Sequence, residues 1–281
     1  MIKKQIYSFV LLIVTLLFSY TPANAQETIL IGIAPHSSAR IILESHASLS
    51  RFLEARFGQP VQIVTAPNFS EFTRRSLEGQ YDLLITSPHL ALLAQEHVGY
   101  IPLLTYTQGL ETVLVSKTDV LPNKHPLLVT GLDPVSFVTL TGLNELKERG
   151  LTVETGLQIS YASASDSAAL AVIQEKTDVA IMSWPNYTKL NDEIKKQVAV
   201  SWRSEPKPSR IYLAKAGKGI DAATWQGAIN AFSTSPEGVA HLADNKLAAF
   251  RPVTKDELTS VRPLADAAFK YLTTTSTESS K

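Results

Sequence analysis

The chain has no cysteine. That absence excludes disulfides, thiolate catalysis and cysteine-ligated metals together, so the fold must be held by burial. Net charge is absent as well, with 26 basic side chains against 26 acidic ones. Setting aside residues 1–25, which carry Lys3 and Lys4, leaves 26 − 2 = 24 basic against 26 acidic. Such a balance supplies no field to draw nucleic acid or an anionic membrane, and neither is expected as a partner. Glycine is sparse at 13 residues, and neither a phosphate-cradling glycine loop nor a Gly-x-Ser-x-Gly elbow occurs. No histidine at a strand end has the i, i+4 partner of a helical metal pair, and no paired carboxylates stand out. Ser87, His89 and Asp166 make a triad on paper, but Ser and His two residues apart seldom meet in the required geometry. The expectation is a protein with no catalytic residues, no metal and no cofactor.

What is present begins with an export signal. Lys3 and Lys4 give a positive start, Phe9 to Phe18 an apolar segment, and Ala23-Asn24-Ala25 a small-residue cleavage site before Gln26. The apolar run is short for a membrane span, and no Cys follows it to carry a lipid. No long apolar run comes later, so the expectation is export with no stable membrane insertion after signal cleavage. With 44% hydrophobic residues, the chain can build a sizeable core.

From Thr28 onward short β-branched runs alternate with helical patterns. Strands are expected at Thr28–Ala34, Val61–Thr65, Leu83–Ile85 and Val98–Tyr106, with helices between them. A second series starts at Leu127-Leu128-Val129 and continues through strands at Leu157–Tyr161, Asp178–Met182, Val198–Trp202 and Arg210–Leu213. Beyond Ala222 the pattern is entirely helical, and the polar tail 273–281 is expected to be disordered. This is an α/β chain of two lobes, each an open, mostly parallel sheet flanked by helices. β-rich segments at Glu111–Lys117 and Arg210–Ala214 make a two-stranded hinge. The expected division is 1–25 signal, 26–112 first lobe, 113–211 second lobe, 212–272 helical return to the first lobe, and 273–281 tail. A single continuous sheet is the competing arrangement.

In open α/β sheets ligands gather beyond the carboxyl ends of the strands. Those ends here are rich in hydroxyls that precede helix starts. They are His36 and Ser37; Thr86, Ser87 and His89; Ser136 and Thr139; Ser163 and Asp166; and Ser183. Ordinary helix capping accounts for such residues, and so does a cleft of neutral donors around a small oxyanion at helix N-termini. His36 and His89 add donors that strengthen on protonation, and Asp166 either caps its helix or selects a protonated ligand oxygen. Tyr106, Tyr161 and Trp184 are candidate walls, while His46 and His97, further along helices, read as surface residues.

Several stretches taken together resemble a known family. They are Ile31-Gly32-Ile33-Ala34-Pro35; Leu53 to Val61; Tyr81-Asp82-Leu83-Leu84-Ile85 with Pro88 and His89; Asp133 to Thr139; and Ser167 to Ile173 leading to Thr177–Ile181. In order and spacing they are similar to the phosphate/phosphite/phosphonate-binding proteins of ABC transporters, over roughly residues 28 to 250. The resemblance implies a type 2 periplasmic-binding fold, two lobes closing on a ligand, and no catalysis. Carried over by position, the anion-holding hydroxyls fall on Thr86 and Ser87 in the first lobe and on Ser136 and Thr139 in the second. The polar residue after the first strand falls on His36. Phe137 and Val138 interrupt the hydroxyl run that such proteins often show at the second-lobe helix.

The reading that follows is a periplasmic solute-binding protein. It holds a small anionic ligand of the phosphate, phosphite or phosphonate class and delivers it to an ABC transporter permease. The alternatives are a ligand-sensing partner of a membrane sensor protein and an exported enzyme acting on a small phosphorylated compound.

Overall fold

The computed structural model of the protein describes residues 27–217 and 219–278, with side chains as far as residue 274. The expected signal, residues 1–25, lies outside the described residues.

Two sheets organise the chain. The first runs in the order β11-β4-β10-β3-β1-β2 and the second β7-β6-β8-β5-β9. The first is built from β1 (Ile29–Ile33), β2 (Val61–Val64), β3 (Leu83–Thr86), β4 (Tyr100–Tyr106), β10 (Ile211–Lys215) and β11 (Phe250–Pro252). The second contains β5 (Thr112–Ser116), β6 (Leu127–Gly131), β7 (Leu157–Tyr161), β8 (Val179–Ser183) and β9 (Ala199–Arg203). Both sheets are mixed. In the first, β1 to β4 share a direction while β10 and β11 oppose them; in the second, only β5 runs against the rest. The first strand entered after each crossing, β5 or β10, runs antiparallel to its neighbours.

The lobes are joined by two segments that touch at a single antiparallel bridge. Leu110 N–H donates to Lys207 O at 2.7 Å and Lys207 N–H to Leu110 O at 3.0 Å. The crossing thus lies just before β5 and β10, which sit inside the two sheets rather than beside each other.

Helix boundaries follow local chemistry. Helix α1 (Ala39–Phe57) is capped by Ser38 Oγ, which accepts from Ile41 N–H, and stops at Gly58, whose φ of 66° is costly for a residue with a Cβ. Its buried residues Ile42, His46, Leu49 and Leu53 form one stripe at helical spacing. Then come α2 (Phe69–Leu77) and α3 (Pro88–Val98); α3 carries Pro88 in its first turn and is buried from Pro88 through Ala94. The second lobe holds α4 (Phe137–Glu148), α5 (Ser165–Ile173), α6 (Trp184–Lys189) and α7 (Asp192–Lys195). The chain ends with α8 (Ala222–Thr234), α9 (Pro236–Asp244), α10 (Lys255–Thr259) and α11 (Arg262–Glu278).

β3 is buried on both faces, as a central strand must be. Leu83 and Ile85 enter the core under α1 and α8, and Leu84 the core under α3 and α11. Each such side chain contributes about 1.5–3 kcal/mol on burial. The second of these cores also takes in Val135 and Leu140 from the second lobe, and α11 packs on both α3 and α4. The lobes therefore share apolar surface.

Two expectations are corrected. The stretch beyond Ala222 is not entirely helical, because Phe250–Pro252 forms an edge strand on β4. Three residues ending in Pro are too short to show an alternating pattern, and an edge is where Pro is tolerated. The 273–281 tail is helical through Glu278, since no Gly or Pro stops α11 and Thr273 and Thr274 hydroxyls bond carbonyls one turn back. Residues 279–281 lie outside the described residues.

Candidate functional site

The register of the first sheet orders the end at which β1, β3 and β4 stop. Ile211 opens β10 opposite Thr86 of β3 on one side and Thr105 of β4 on the other. One step back along these antiparallel ladders sets Arg210 between Ser87 and Tyr106, and β1 on the far side of β3 brings Pro35 and His36 alongside.

Thr86 and Ser87 open α3 with hydroxyls that have no partner. Ser87 occupies the N-cap position without making a side-chain cap bond, and Thr86 Oγ1 and Ser87 Oγ are both buried. Burying a hydroxyl without a partner costs about 1–3 kcal/mol. His89, in the same first turn, is wholly buried, and its Nε2–H donates to Val135 O of the second lobe at 2.9 Å. Donation to a carbonyl fixes the tautomer, so Nδ1 is the bare nitrogen, and it has no partner. Burial lowers the His89 pKa to about 4, with the Val135 bond opposing the shift. Its ring lies 5.6 Å from that of Phe137.

The second-lobe helix start is committed internally. Ser136 Oγ accepts from Thr139 N–H and donates to Thr139 Oγ1 at 2.8 Å, and Thr139 Oγ1 accepts from Leu132 N–H at 3.0 Å. Both residues are buried. The side chain of Thr139 packs against Gly131, where an added Cβ would come within 2.6 Å of it. Asp133 accepts from Val135 N–H at 2.9 Å, and burial raises its pKa, opposed by the backbone N–H groups of Val135 and of Phe69 in the first lobe. The two helix starts thus meet through His89, which bonds Val135 and lies against the Phe137 ring.

The other candidates lie apart from that contact. Ser163 and Asp166 are exposed at the start of α5. Ser183 caps α6 by accepting from Asn186 N–H at 3.2 Å, and Asn186 Nδ2 donates to Ser165 Oγ at 3.0 Å. Beside them Arg203 stacks 3.8 Å over the Trp184 ring and pairs with Glu111. Tyr161 is 47% exposed, whereas Tyr106 is buried with its hydroxyl 2.7 Å from that of Tyr212.

Ser37 is half-buried and His36 exposed. Crowding by protein, followed by the charge of Arg210, nevertheless holds the His36 imidazole well below the usual histidine range. Its Nδ1–H donates to Ala34 O at 2.8 Å. From His36 a row of rings runs inward, 6.4 Å to His46 and a further 5.4 Å to His241. His46 was expected at the surface, yet it is 2% exposed, because it falls on the buried stripe of α1. Burial lowers its pKa to about 4 and also lowers that of His241, with Arg210 acting in the same direction on both. The Nε2 atoms of His46 and His241 are buried and unpartnered.

Sequence reasoning therefore missed Arg210, His46 and His241. An Arg just before a strand carries no signal alone; only the antiparallel placement of β10 brings it to the end at which β1, β3 and β4 stop. Among the described residues, no group of three or more His, Asp or Glu side chains is placed to hold a metal ion. A surface cavity of about 370 Å³ lies beside the crossing, between Thr107, Gly109, Lys207, Arg251 and Glu257, and none of the sequence candidates lines it.

The family model for ABC transporter phosphonate periplasmic substrate-binding proteins matches residues 31–258, most of the chain. The chain belongs to this family. Its members are substrate-binding proteins and not enzymes, which sets catalysis aside. Among solved structures, the binding-protein component of an ABC phosphonate transporter from Pseudomonas aeruginosa is similar at 19% identity and TM-score 0.70, over 85% of each chain. A Prochlorococcus marinus protein in complex with methylphosphonate is similar at 13% identity and TM-score 0.72, over 85% of this chain and 97% of that one. A Xanthomonas citri protein bound to ATP is similar at 15% identity and TM-score 0.71, over 86% and 97%. At these identities the structures establish the shared two-lobed α/β periplasmic-binding fold. A comparison with curated protein sequences finds no match. Among the described residues no helix is long and apolar enough to cross a membrane.

Proposed function

We propose that this phosphonate-binding family member holds a small oxyanion of the phosphonate, phosphite or phosphate class between its two lobes. It does so in the periplasm, after loss of the 1–25 signal, and hands the ligand to the permease of an ABC transporter. The lobes are the first sheet and the second sheet, each with the helices packed on it; the chain crosses between them at Leu110 and Lys207, a few residues before the expected boundaries at 112/113 and 211/212. The observation that carries the reading is the family match across 31–258, together with a first-lobe helix start whose Thr86 and Ser87 hydroxyls are left without partners. A helix N-terminus with spare donors favours an anion, and exclusion of water strengthens each donor.

In this reading Ser136 and Thr139 hold the geometry of the second-lobe helix start; Ser136 donates its hydroxyl proton to Thr139 Oγ1 and reaches an anion only by giving up that bond, whereas Thr139 accepts in both of its bonds and keeps its own proton to donate. Ser163, Asp166 and Ser183 with Trp184 form the opposite rim. The deciding experiment is a thermal-shift and calorimetry series on the purified protein with methylphosphonate, phosphite, phosphate, sulfate and acetate. A phosphorus oxyanion that raises the melting temperature and titrates with a one-to-one heat supports the reading. Binding confined to sulfate or acetate would replace the ligand class.

A further inference from the structure

We infer that Arg210 is the principal anion-holding residue of this chain, its guanidinium gripping two oxygens of a tetrahedral oxyanion at the end of the first sheet where β1, β3 and β4 stop, between Ser87 and Tyr106 and beside His36. The inference rests on the reading of the chain as an oxyanion-binding protein and names the residue that supplies the positive charge.

The register fixes the placement, since Arg210 follows directly from Ile211 opposite Thr86 and Thr105. Its charge is uncompensated. Arg40, Arg74, Arg75, Arg149, Arg203, Arg251 and Arg262 all pair with carboxylates, and Arg51 and Arg56 are exposed. Arg210 is half-buried, and among the described residues no carboxylate is paired with it. A guanidinium never gives up its proton under ordinary conditions, so burial cannot be relieved by neutralisation and favours a counter-anion.

The groups facing it offer none. β4 contributes Tyr106 and β10 contributes Tyr212, and the charge of Arg210 acts on both phenols. The loop after β1 contributes His36, α1 His46 and α9 His241, all three held toward the neutral form. Two hydroxyls next to Arg210, Ser87 Oγ across the ladder and Ser209 Oγ before it in the chain, are buried and unpartnered. A lone cation ringed by neutral, partly unpaired polar groups is the complement of a small oxyanion. The planar fork of Arg matches two oxygens at once, while the spare hydroxyls serve the others. Arg210 also lies three residues after Lys207 of the Leu110–Lys207 crossing, so an anion held there sits close to the joint between the lobes.

The test is calorimetry of the wild type, Arg210→Gln and Arg210→Lys with methylphosphonate, phosphite, inorganic phosphate, sulfate and methanesulfonate. The expected result is that whichever anion binds the wild type is weakened by about 30-fold or more in Arg210→Gln and by less in Arg210→Lys, with ligand-free melting temperatures within a few degrees. Arg210→Gln binding within threefold of wild type overturns the role of Arg210 and leaves the oxyanion-binding reading standing. Arg210-dependent binding of sulfate or methanesulfonate alone supports Arg210 and overturns the phosphorus ligand class. Failure of all five to bind the wild type overturns both. Should Arg210→Gln fail to fold, the His36 imidazole of the wild type is followed by NMR as the binding anion is added. Cancelling the Arg210 charge raises the pH at which His36 titrates, and an unmoved titration overturns the inference.

Discussion

His89 Nε2 lies 2.9 Å from the carbonyl oxygen of Val135, a bond between residues 46 apart in sequence that ties the first turn of one lobe's helix to the loop before the other's. Both groups are removed from water, so neither has another partner if the bond is lost. The contact couples the packing of the lobes to the two helix starts on which the binding proposal rests.

Replacing His89 by Ala leaves the Val135 carbonyl unpaired and opens a cavity beside Phe137. A destabilisation of about 2–4 kcal/mol is expected, read from the urea midpoint at constant m-value. His89→Gln, which retains a donor, is expected to recover part of it. A midpoint unmoved by His89→Ala would remove this contact from the account of stability.

Stability is expected to fall as the medium is acidified. His89 and His46 are neutral in the folded protein because burial lowers both to about 4 from an ordinary 6.5, so unfolding takes up a proton at each in between. Their contribution is complete above about pH 6.5, declines as pH drops through that window, and is lost near pH 4, with a slope of about 1.4 kcal/mol per pH unit for each proton taken up. Melting temperatures measured from pH 7.5 to 4.5 check the direction. His89→Gln should flatten the slope, and an unchanged slope in that variant would assign the acid sensitivity elsewhere.

Ser87 and Ser136 sit at equivalent helix starts but should respond differently. Ser87 Oγ makes no bond, so Ser87→Ala relieves a buried unpaired hydroxyl and is expected to raise stability by up to about 1–3 kcal/mol while weakening the oxyanion severalfold. Ser136 Oγ caps α4 and holds Thr139, so Ser136→Ala should cost about 1–2 kcal/mol. Paired unfolding and calorimetry curves separate the two; equal losses of stability would show that the Ser87 hydroxyl is engaged.

Gly131→Ala should damage the second-lobe helix start from beneath. The new Cβ would stand 2.6 Å from Thr139 Cγ2 and 2.8 Å from its Oγ1, displacing the hydroxyl that accepts from Leu132 N–H. An expected cost of about 1–3 kcal/mol follows from overpacking, measured by thermal unfolding. The cost should shrink in the Thr139→Ser background, which removes the methyl in the way. Equal costs in both backgrounds would rule out the clash.

The strand and helix alternation was legible because each buried strand, such as Leu83–Ile85, is a short apolar run bounded by turn residues. The helix starts were legible because Ser38, Ser136 and Ser183 are cap residues in cap positions. Capping chemistry is local, so sequence alone finds it. Sequence could not tell which of those hydroxyls are spent on their own helix. Ser136 bonds Thr139 and Ser87 bonds nothing, a difference set by how each loop approaches its helix.

The amino-acid order by itself determined the two-lobed α/β class, the absence of cysteine chemistry and the likeness to phosphonate-binding proteins, since these rest on composition and near-neighbour pattern. Only the tertiary structure decided that the sheets are mixed, that His46 is inside, that His89 is buried between the lobes, and that Arg210 stands without a carboxylate at the end where β1, β3 and β4 stop. Those facts depend on which distant strands and helices become neighbours. An antiparallel β10 inserted beside β3 carries a charge across 123 residues of sequence, from Ser87 to Arg210, a pairing that no local period records.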